Sequence, residues 1–386
     1  MDALTLLEIV AKGENTRTQF KENIYNSDQL AQEMIAFSNS MGGTILVGVS
    51  DSGEIKGVTD DDIRRLNQLI ANTANENVKP PVFPETEVAG VNDRKILLIH
   101  VPYGANKPYS TNKGVYYTKS GSDKRKVSQE ELRRLFQESG KLYADETLFK
   151  NAGFKDIDLE LFKQFHQKKY GIPYENGEEG LPQMFDNLNL SSDNSLNLAG
   201  LLLFGKNPMK YTPLCQVIAV SFVGNDIAGR EYRDSENIEG NLTKLFTDGL
   251  AFMKRNLRKI QNGQDFNSTG VLEIPPSVLD EMFINALIHR DYFISSNIRI
   301  LIFDDRLEIV NPGKLPNNLT VEKIKKGVSV KRNHTLASFA FDLIPYRGIG
   351  SGIIRALQHY PHIQFINDAE IEQFKVIIKR PPLGFP

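Results

Sequence analysis

The stretch VLDEMFINALIHRDYF, Val278 to Phe293, carries apolar residues at helical spacing: Val278, Met282, Ile284 or Leu287, and Ile288. Glu281, Asn285 and His289 run through it one helical turn apart, and Arg290 follows. Residues at i and i+4 share a helix face, so the three polar side chains form a line. Two accounts of that line are open. Either it is a polar network that satisfies itself inside a core, or the helix forms the wall of a site. A carboxylate beside an amide oxygen suits the second account, because magnesium takes hard oxygen ligands and keeps several waters.

Downstream, strand signals in NIRILIF and LEIVN flank the turn DDR and end at Asn311-Pro312-Gly313. A long polar and basic segment follows, and then GIGSGI, Gly348 to Ile353, opens a helix. Glycines at 348, 350 and 352 let backbone N–H groups crowd around phosphate oxygens, at a helix end that favours anions. Glycine turns before helices are common. Joined in this order to the Glu-x-x-x-Asn helix and the Asn-Pro-Gly hairpin, the run is far more specific.

In that order EMFINALIHRDY, DDRLEIVNPGKLP and YRGIGSGI resemble the N-box and the two glycine boxes of the GHKL-type ATP-binding fold of gyrase and the histidine kinases. They resemble more closely its divergent form in bacterial RecG-like transcriptional regulators. The resemblance implies a GHKL-like α/β sandwich over 271–386, with ATP and Mg2+ as cofactors. It implies Asn285 on Mg2+, Glu281 as candidate general base of a weak ATPase, and Asn311, Gly313, Gly348, Gly350 and Gly352 around the nucleotide. The family's first glycine box carries an Asp that bonds the adenine amino group, and Asn311 stands in its place here. An amide donates as well as accepts, which leaves adenine selectivity open. Between the boxes, Lys325, Lys326, Lys331 and Arg332 belong to a lid, as phosphate partners or as a solvated face. His289 reads as a structural hydrogen-bonder.

The first ~140 residues alternate helix and strand signals. SDQLAQEMIAFSNS has Ser27 or Asp28 as N-cap and Leu30, Met34, Ile35 and Phe37 as apolar face. TILVGVSD follows as a buried strand, Asp51 to Glu54 is a tight turn, and Ser128 to Glu131 is a capping box. GENTRTQFKEN with FSNSMGGTILVGVSDSGEIKGV is similar to the Schlafen-type AlbA-like domain, over about residues 8–135. That resemblance implies nucleic-acid binding, with Lys21 on phosphate. Nuclease members of the group hold a metal with two Glu and an Asp, and the matching positions here are Glu14, Gln19 and Asp51. Three carboxylates can bind a divalent cation and charge a water, and an amide at 19 removes one of them. The domain therefore reads as a binder. Glu14 and Asp51 hold metal only under the nuclease alternative.

A second surface is TNKGVYYTKSGSDKRKVS, where Tyr116 and Tyr117 lie near Lys113, Lys119, Lys124, Arg125 and Lys126. Aromatic rings stack on bases while cations neutralise phosphates. The plainer account packs one Tyr inward and lets the cations solvate a hairpin.

Between these regions, 141–270 reads as a connecting α/β region: a helical linker, Leu201 to Phe204 as a buried strand, the strand CQVIAVSFVG and the helix NLTKLFTDGLAFMKRNL. The loop QNGQDFNSTG and a frayed tail RPPLGFP complete an α+β chain in three parts, 1–140, 141–270 and 271–386. A net charge of -2 gives no bulk basic field, and a single cysteine, Cys215, rules out an internal disulfide or a cysteine-rich zinc module. No apolar run reaches the ~20 residues needed to cross a bilayer. The N-terminus has no signal-peptide pattern, and no G-x-x-x-x-G-K-[ST] loop occurs. The expectation is a cytoplasmic, homodimeric regulator that binds ATP and nucleic acid, DNA before RNA. The alternatives are a metal-dependent nuclease and a nucleotide-independent scaffold.

Overall fold

The structure is a computed structural model and describes residues 1–229, 231–260, 270–316, 319–345, 348 and 350–382. It divides into two compact units, Met1–Leu142 and Tyr143–Pro386.

The first unit is built on a mixed sheet. Strand β1 (Thr18–Lys21) runs parallel to β2 (Gly43–Val47), while β3 (Glu85–Val91) and β4 (Arg94–Val101) pair antiparallel, in the order β1-β2-β4-β3. Helix α1 (Ala3–Lys12) sets Leu6 against Phe20, Leu46 and Leu98 on one face. Helices α2 (Ser27–Asn39) and α3 (Asp60–Asn72) set Leu30, Met34, Phe37, Leu66 and Ile70 against Ile45, Val47, Leu97 and Ile99 on the other. Cover on both faces is why these strands read as unbroken apolar runs rather than alternating ones. The N-cap of α2 is Asn26, one residue ahead of the expected Ser27 or Asp28. Its side-chain oxygen accepts from the N–H of Asp28 at 2.9 Å and of Gln29 at 3.2 Å. A hairpin of β5 (Tyr117–Ser120) and β6 (Asp123–Lys126) packs on α2, and the Ser128–Glu131 capping box opens α4 (Gln129–Glu138).

The second unit begins with α5 (Leu159–Tyr170), α6 (Leu181–Asn187) and α7 (Leu198–Phe204). Leu201 to Phe204 is thus helical, not the strand expected. Asn197 caps it, accepting from Gly200 N–H at 2.9 Å, and every residue of α7 is buried. A helix hidden on all sides loses its 3.6-residue signature and reads like a buried strand.

The six strands that follow are β7 (Val217–Phe222), β8 (Tyr232–Ile238), β9 (Ile298–Ile302), β10 (Arg306–Pro312), β11 (Ile363–Asp368) and β12 (Gln373–Lys379). They form one sheet in the order β8-β7-β9-β10-β12-β11, with β7 and β9 parallel and the other pairs antiparallel. Strands from both sides of residue 270 therefore share one sheet, because the buried strand β7 needs ladder partners and finds one in β9. Residues 143–270 belong to the same compact unit as the region that follows. Helices α8 (Leu242–Asn256) and α9 (Pro276–His289) pack on this sheet. Helix α10 (Val321–Lys325) precedes α11 (His334–Leu343), and α12 (Gly352–His359) packs on α9.

Among the described residues, no helix is long and apolar enough to cross a membrane. The expected loop at 261–269, Tyr346, Arg347 and Ile349 of the second glycine stretch, and tail residues 383–386 lie outside the described residues.

Candidate functional site

Helix α9 starts on Pro276, a residue preset for the first helical turn. Val278, Leu279, Met282, Phe283, Ile284, Ala286, Leu287 and Ile288 are buried around most of its girth. The remaining line, Glu281, Asn285 and His289, borders a cleft. Asn311, Gly313, Gly348, Gly350 and Gly352 border the same cleft. The residues expected around a nucleotide thus converge. The cleft encloses about 1050 Å³ of space, open solvent at its mouth included.

Its polar geometry is specific. The Asn285 amide donates to the Glu281 carbonyl at 2.8 Å and to Glu281 Oε1 at 2.9 Å. That orientation leaves Asn285 Oδ1 as the atom available to a cation. Arg355 on α12 approaches Glu281 Oε2 at 3.9 Å. A side chain at 352 would overlap the Glu281 carboxylate, so the glycine leaves that carboxylate its room beside α12. Gly313 takes φ +104°, and a Cβ there would meet Asp291 and Arg332. Asn311 is 5% exposed, and its Oδ1 has no hydrogen-bond partner.

Arg332 does not extend as a free phosphate ligand would. It donates to the Lys314 carbonyl at 2.7 Å and the His289 carbonyl at 3.4 Å, with Asp291 at 3.8 Å, and so fastens the end of α9 to the first glycine turn. Lys325, Lys326 and Lys331 are exposed. His289 is held neutral: burial, then the charges of Arg332 and Lys331, bring its pKa down from 6.5 to about 4. Arg290 is fully buried and donates to the Ser296 carbonyl, with its guanidinium 4.9 Å from the Tyr292 ring centre. Asn333 gave no signal in the sequence. Its amide donates to the carbonyls of Ile288 at 2.9 Å and Arg290 at 2.8 Å, satisfying the C-terminal end of α9. Arg355 was equally silent, since nothing local pairs it with a carboxylate 74 residues earlier.

The expected residues of the first unit are placed differently. Glu14 Oε1 accepts from Phe20 N–H at 2.7 Å and from the Gln19 amide, and Gln19 Oε1 accepts from Lys119 Nζ at 2.7 Å. Lys119 also donates to the Ser122 carbonyl and lies 3.7 Å from Glu33, which accepts from Lys124 at 2.8 Å. The Lys119 side chain is 1% exposed, with its ammonium 4.8 Å from the centre of the Phe37 ring. Burial pushes its pKa down, and Glu33 and Glu14 pull it back up. Lys119 therefore does not face solvent as a phosphate ligand must. The hairpin register is the reason: Lys119 pairs with Lys124, and both reach Glu33 of α2.

Arg125 grips Glu131 at 2.5 and 2.8 Å. Tyr117 packs against the core, whereas Tyr116 and Lys21 are half-exposed and Lys126 is exposed. Asp51 is exposed in its turn. Among the described residues, no group of three or more His, Cys, Asp or Glu is placed so as to hold a metal ion.

Residues 14–128 match the family model for the Schlafen, AlbA_2 domain, and residues 295–378 match the one described as "Putative ATP-dependent DNA helicase recG C-terminal". The second match begins after α9, so the Glu281–Asn285 wall lies outside it. Among solved structures, the chain is similar to the DIP2311 protein from Corynebacterium diphtheriae: 20% identity and TM-score 0.46, over 98% of this chain and 80% of that one. It is also similar to the N-terminal domain of a "Putative ATP-dependent DNA Helicase RecG-related Protein" from Nitrosomonas europaea. That match has 23% identity and TM-score 0.23, over 33% of this chain and 95% of that one. The chain joins a Schlafen AlbA_2 domain at 14–128 to a RecG C-terminal-type domain at 295–378.

Proposed function

We propose that the second unit binds ATP with Mg2+, that the first unit binds nucleic acid, and that nucleotide state modulates that binding in a transcriptional regulator. The observation that carries this reading is the convergence of Glu281, Asn285, Asn311 and three glycines of the second glycine stretch on one cleft. The two family matches, one to the C-terminal part of a putative ATP-dependent DNA helicase, support it.

The residues fit the cofactor. Asn285 Oδ1 and the Glu281 carboxylate are hard oxygen donors of the kind magnesium takes, directly or through water. Gly350, Gly352 and the start of α12 offer backbone N–H groups to phosphate, and Ser351 supplies no side-chain cap that would compete. Asn285 would hold the ion, and the ion would neutralise phosphate charge. Glu281, steadied by Asn285 and Arg355, would orient a water, giving a weak ATPase. In the first unit, Tyr116, Lys21 and Lys126 offer a half-exposed ring and two cations to a nucleic acid. DNA as the target, a homodimer and a cytoplasmic location belong to the same proposal.

Calorimetric titration of ATP and ADP with Mg2+ tests the cleft. Asn285→Ala is expected to weaken binding tenfold or more, about 1.4 kcal/mol. Folded wild type that binds neither nucleotide would overturn the reading and leave the polar line of α9 structural.

A further inference from the structure

The four-stranded sheet of the first unit ends differently at its two edges. At β1 the edge is closed: the Thr18 N–H donates to the Asn15 carbonyl at 3.3 Å, and the Phe20 N–H to Glu14 Oε1 at 2.7 Å. At β3 it is open. Asn92 and Asp93, both at positive φ, join β3 to β4 in a two-residue hairpin, so Val91 and Arg94 form the first hydrogen-bonded pair. Bonded pairs alternate along an antiparallel ladder, so Ala89, Glu87 and Glu85 also bond inward to β4. The N–H and C=O groups of Thr86, Val88 and Gly90 therefore point away from the sheet. Among the described residues, no hydrogen bond outside the ladder reaches them. All three residues are exposed, Val88 by 47%, and a Cβ on Gly90 would meet nothing within 4 Å. Folds blunt such edges with short strands, Lys, Pro, bulges or a covering segment, because a free edge templates another strand. Strand β3 is seven residues long, in unbroken register, with no Lys or Pro.

We propose that β3 pairs antiparallel with β3 of a second copy about a two-fold axis at Val88, joining two four-stranded sheets into one of eight strands. This gives the homodimer proposed above a surface, and it requires neither nucleotide nor nucleic acid. The strand matches itself in that register. Val88 faces Val88 and Thr86 faces Gly90, so the outward N–H and C=O groups of all three residues find partners. Charge selects the same arrangement. Glu85 is exposed at one end of β3 and Arg94 just past the other, both on the α1 side with Ala89 and Val91. Antiparallel pairing sets each Glu85 opposite Val91 of the other copy, with Arg94 one strand beyond. Parallel pairing would set Glu85 and Glu87 beside their own copies, and like charges so placed repel. Arg94 donates to the Ile55 carbonyl and has further N–H groups to give.

The test is sedimentation of the full chain without nucleotide or nucleic acid, for wild type and Val88→Lys. Wild type is expected to be dimeric, and Val88→Lys to weaken the dimer tenfold or more with an unchanged far-UV spectrum. A wild type that stays monomeric at every concentration overturns the proposal, and this arm needs no variant to fold. A dimer untouched by Val88→Lys overturns it too. Crosslinking fixes the register: across the axis the Val88 Cα atoms lie about 5.5 Å apart, within disulfide reach. The two Thr86 lie about 14 Å apart. The native Cys215 is buried. Mild oxidation should therefore link Val88→Cys into covalent dimers and leave Thr86→Cys unlinked. The reverse result, or no link at 88, overturns the pairing even where a dimer forms.

Discussion

Each unit of the chain hides polar side chains, and the two pair them to different degrees. In the first, Glu14, Gln19, Lys119, Glu33 and Lys124 form a continuous run of hydrogen bonds and ion pairs, with a nearly inaccessible ammonium at its centre. In the second, Asn311 keeps an unpaired oxygen, and Asn285 turns its amide to Glu281 so that its own oxygen faces elsewhere. Both patterns look alike as strings of polar letters. A network with its charges paired supplies stability and fold uniqueness; even there Glu33 Oε2 has only the 3.7 Å ion pair with Lys119 and no hydrogen bond. The difference lies in who satisfies whom, and that is a property of three-dimensional placement.

The largest expected effect would come from breaking the closed network. Lys119→Met removes the ammonium, leaving Gln19 Oε1 without its donor and Glu33 without one of its two ion-pair partners, at a cost of about 3 kcal/mol. Urea unfolding of the full chain, followed by a probe in the first unit, measures it; a change below about 1 kcal/mol would mean the network is not closed.

Gly352→Ala sharpens the contrast at the open site. The new methyl meets only the flexible end of Glu281, so stability is expected to change by less than about 1 kcal/mol. The displaced carboxylate should nonetheless weaken Mg2+–ATP binding about tenfold, about 1.4 kcal/mol. Thermal melts and calorimetry on one preparation separate the two effects.

His289 predicts a pH signature. Its folded pKa of about 4 lies below the ordinary 6.5, so the unfolded chain takes the proton first. Its contribution to stability is complete above pH 6.5 and falls as pH drops from there toward 4. Stability-against-pH curves for wild type and His289→Gln should converge toward acid pH, and parallel curves across that window would refute the assignment. The smallest effects belong to the nucleic-acid surface. Lys126→Ala should shallow the slope of log affinity against log salt by roughly one unit or less. Arg125→Ala should change it less, because that guanidinium is already engaged by Glu131.

Much of the cleft was legible because its residues repeat at helical spacing or belong to glycine turns. Glu281, Asn285 and His289 declared a face by period alone, and Gly348, Gly350 and Gly352 declared a helix start. Long-range pairings were not legible. The contact of Arg355 with Glu281, the hold of Asn333 on the end of α9 and the ladder of β7 with β9 each join segments with no local signal of the other. Lys119 looked like any hairpin lysine, since its burial follows from the packing of the hairpin on α2, not from its neighbours in sequence. Helix α7 escaped because burial on every side erased its period.

A positive charge carried on four methylenes, as in Lys119, is never in exchange with the surroundings: it cannot be stripped by a chelator, outcompeted by another ion or starved by scarcity. The acidic and amide groups around it, Glu14, Gln19 and Glu33, therefore keep their counter-charge at any metal concentration. The first unit carries its cation as part of its inheritance, encoded in one codon.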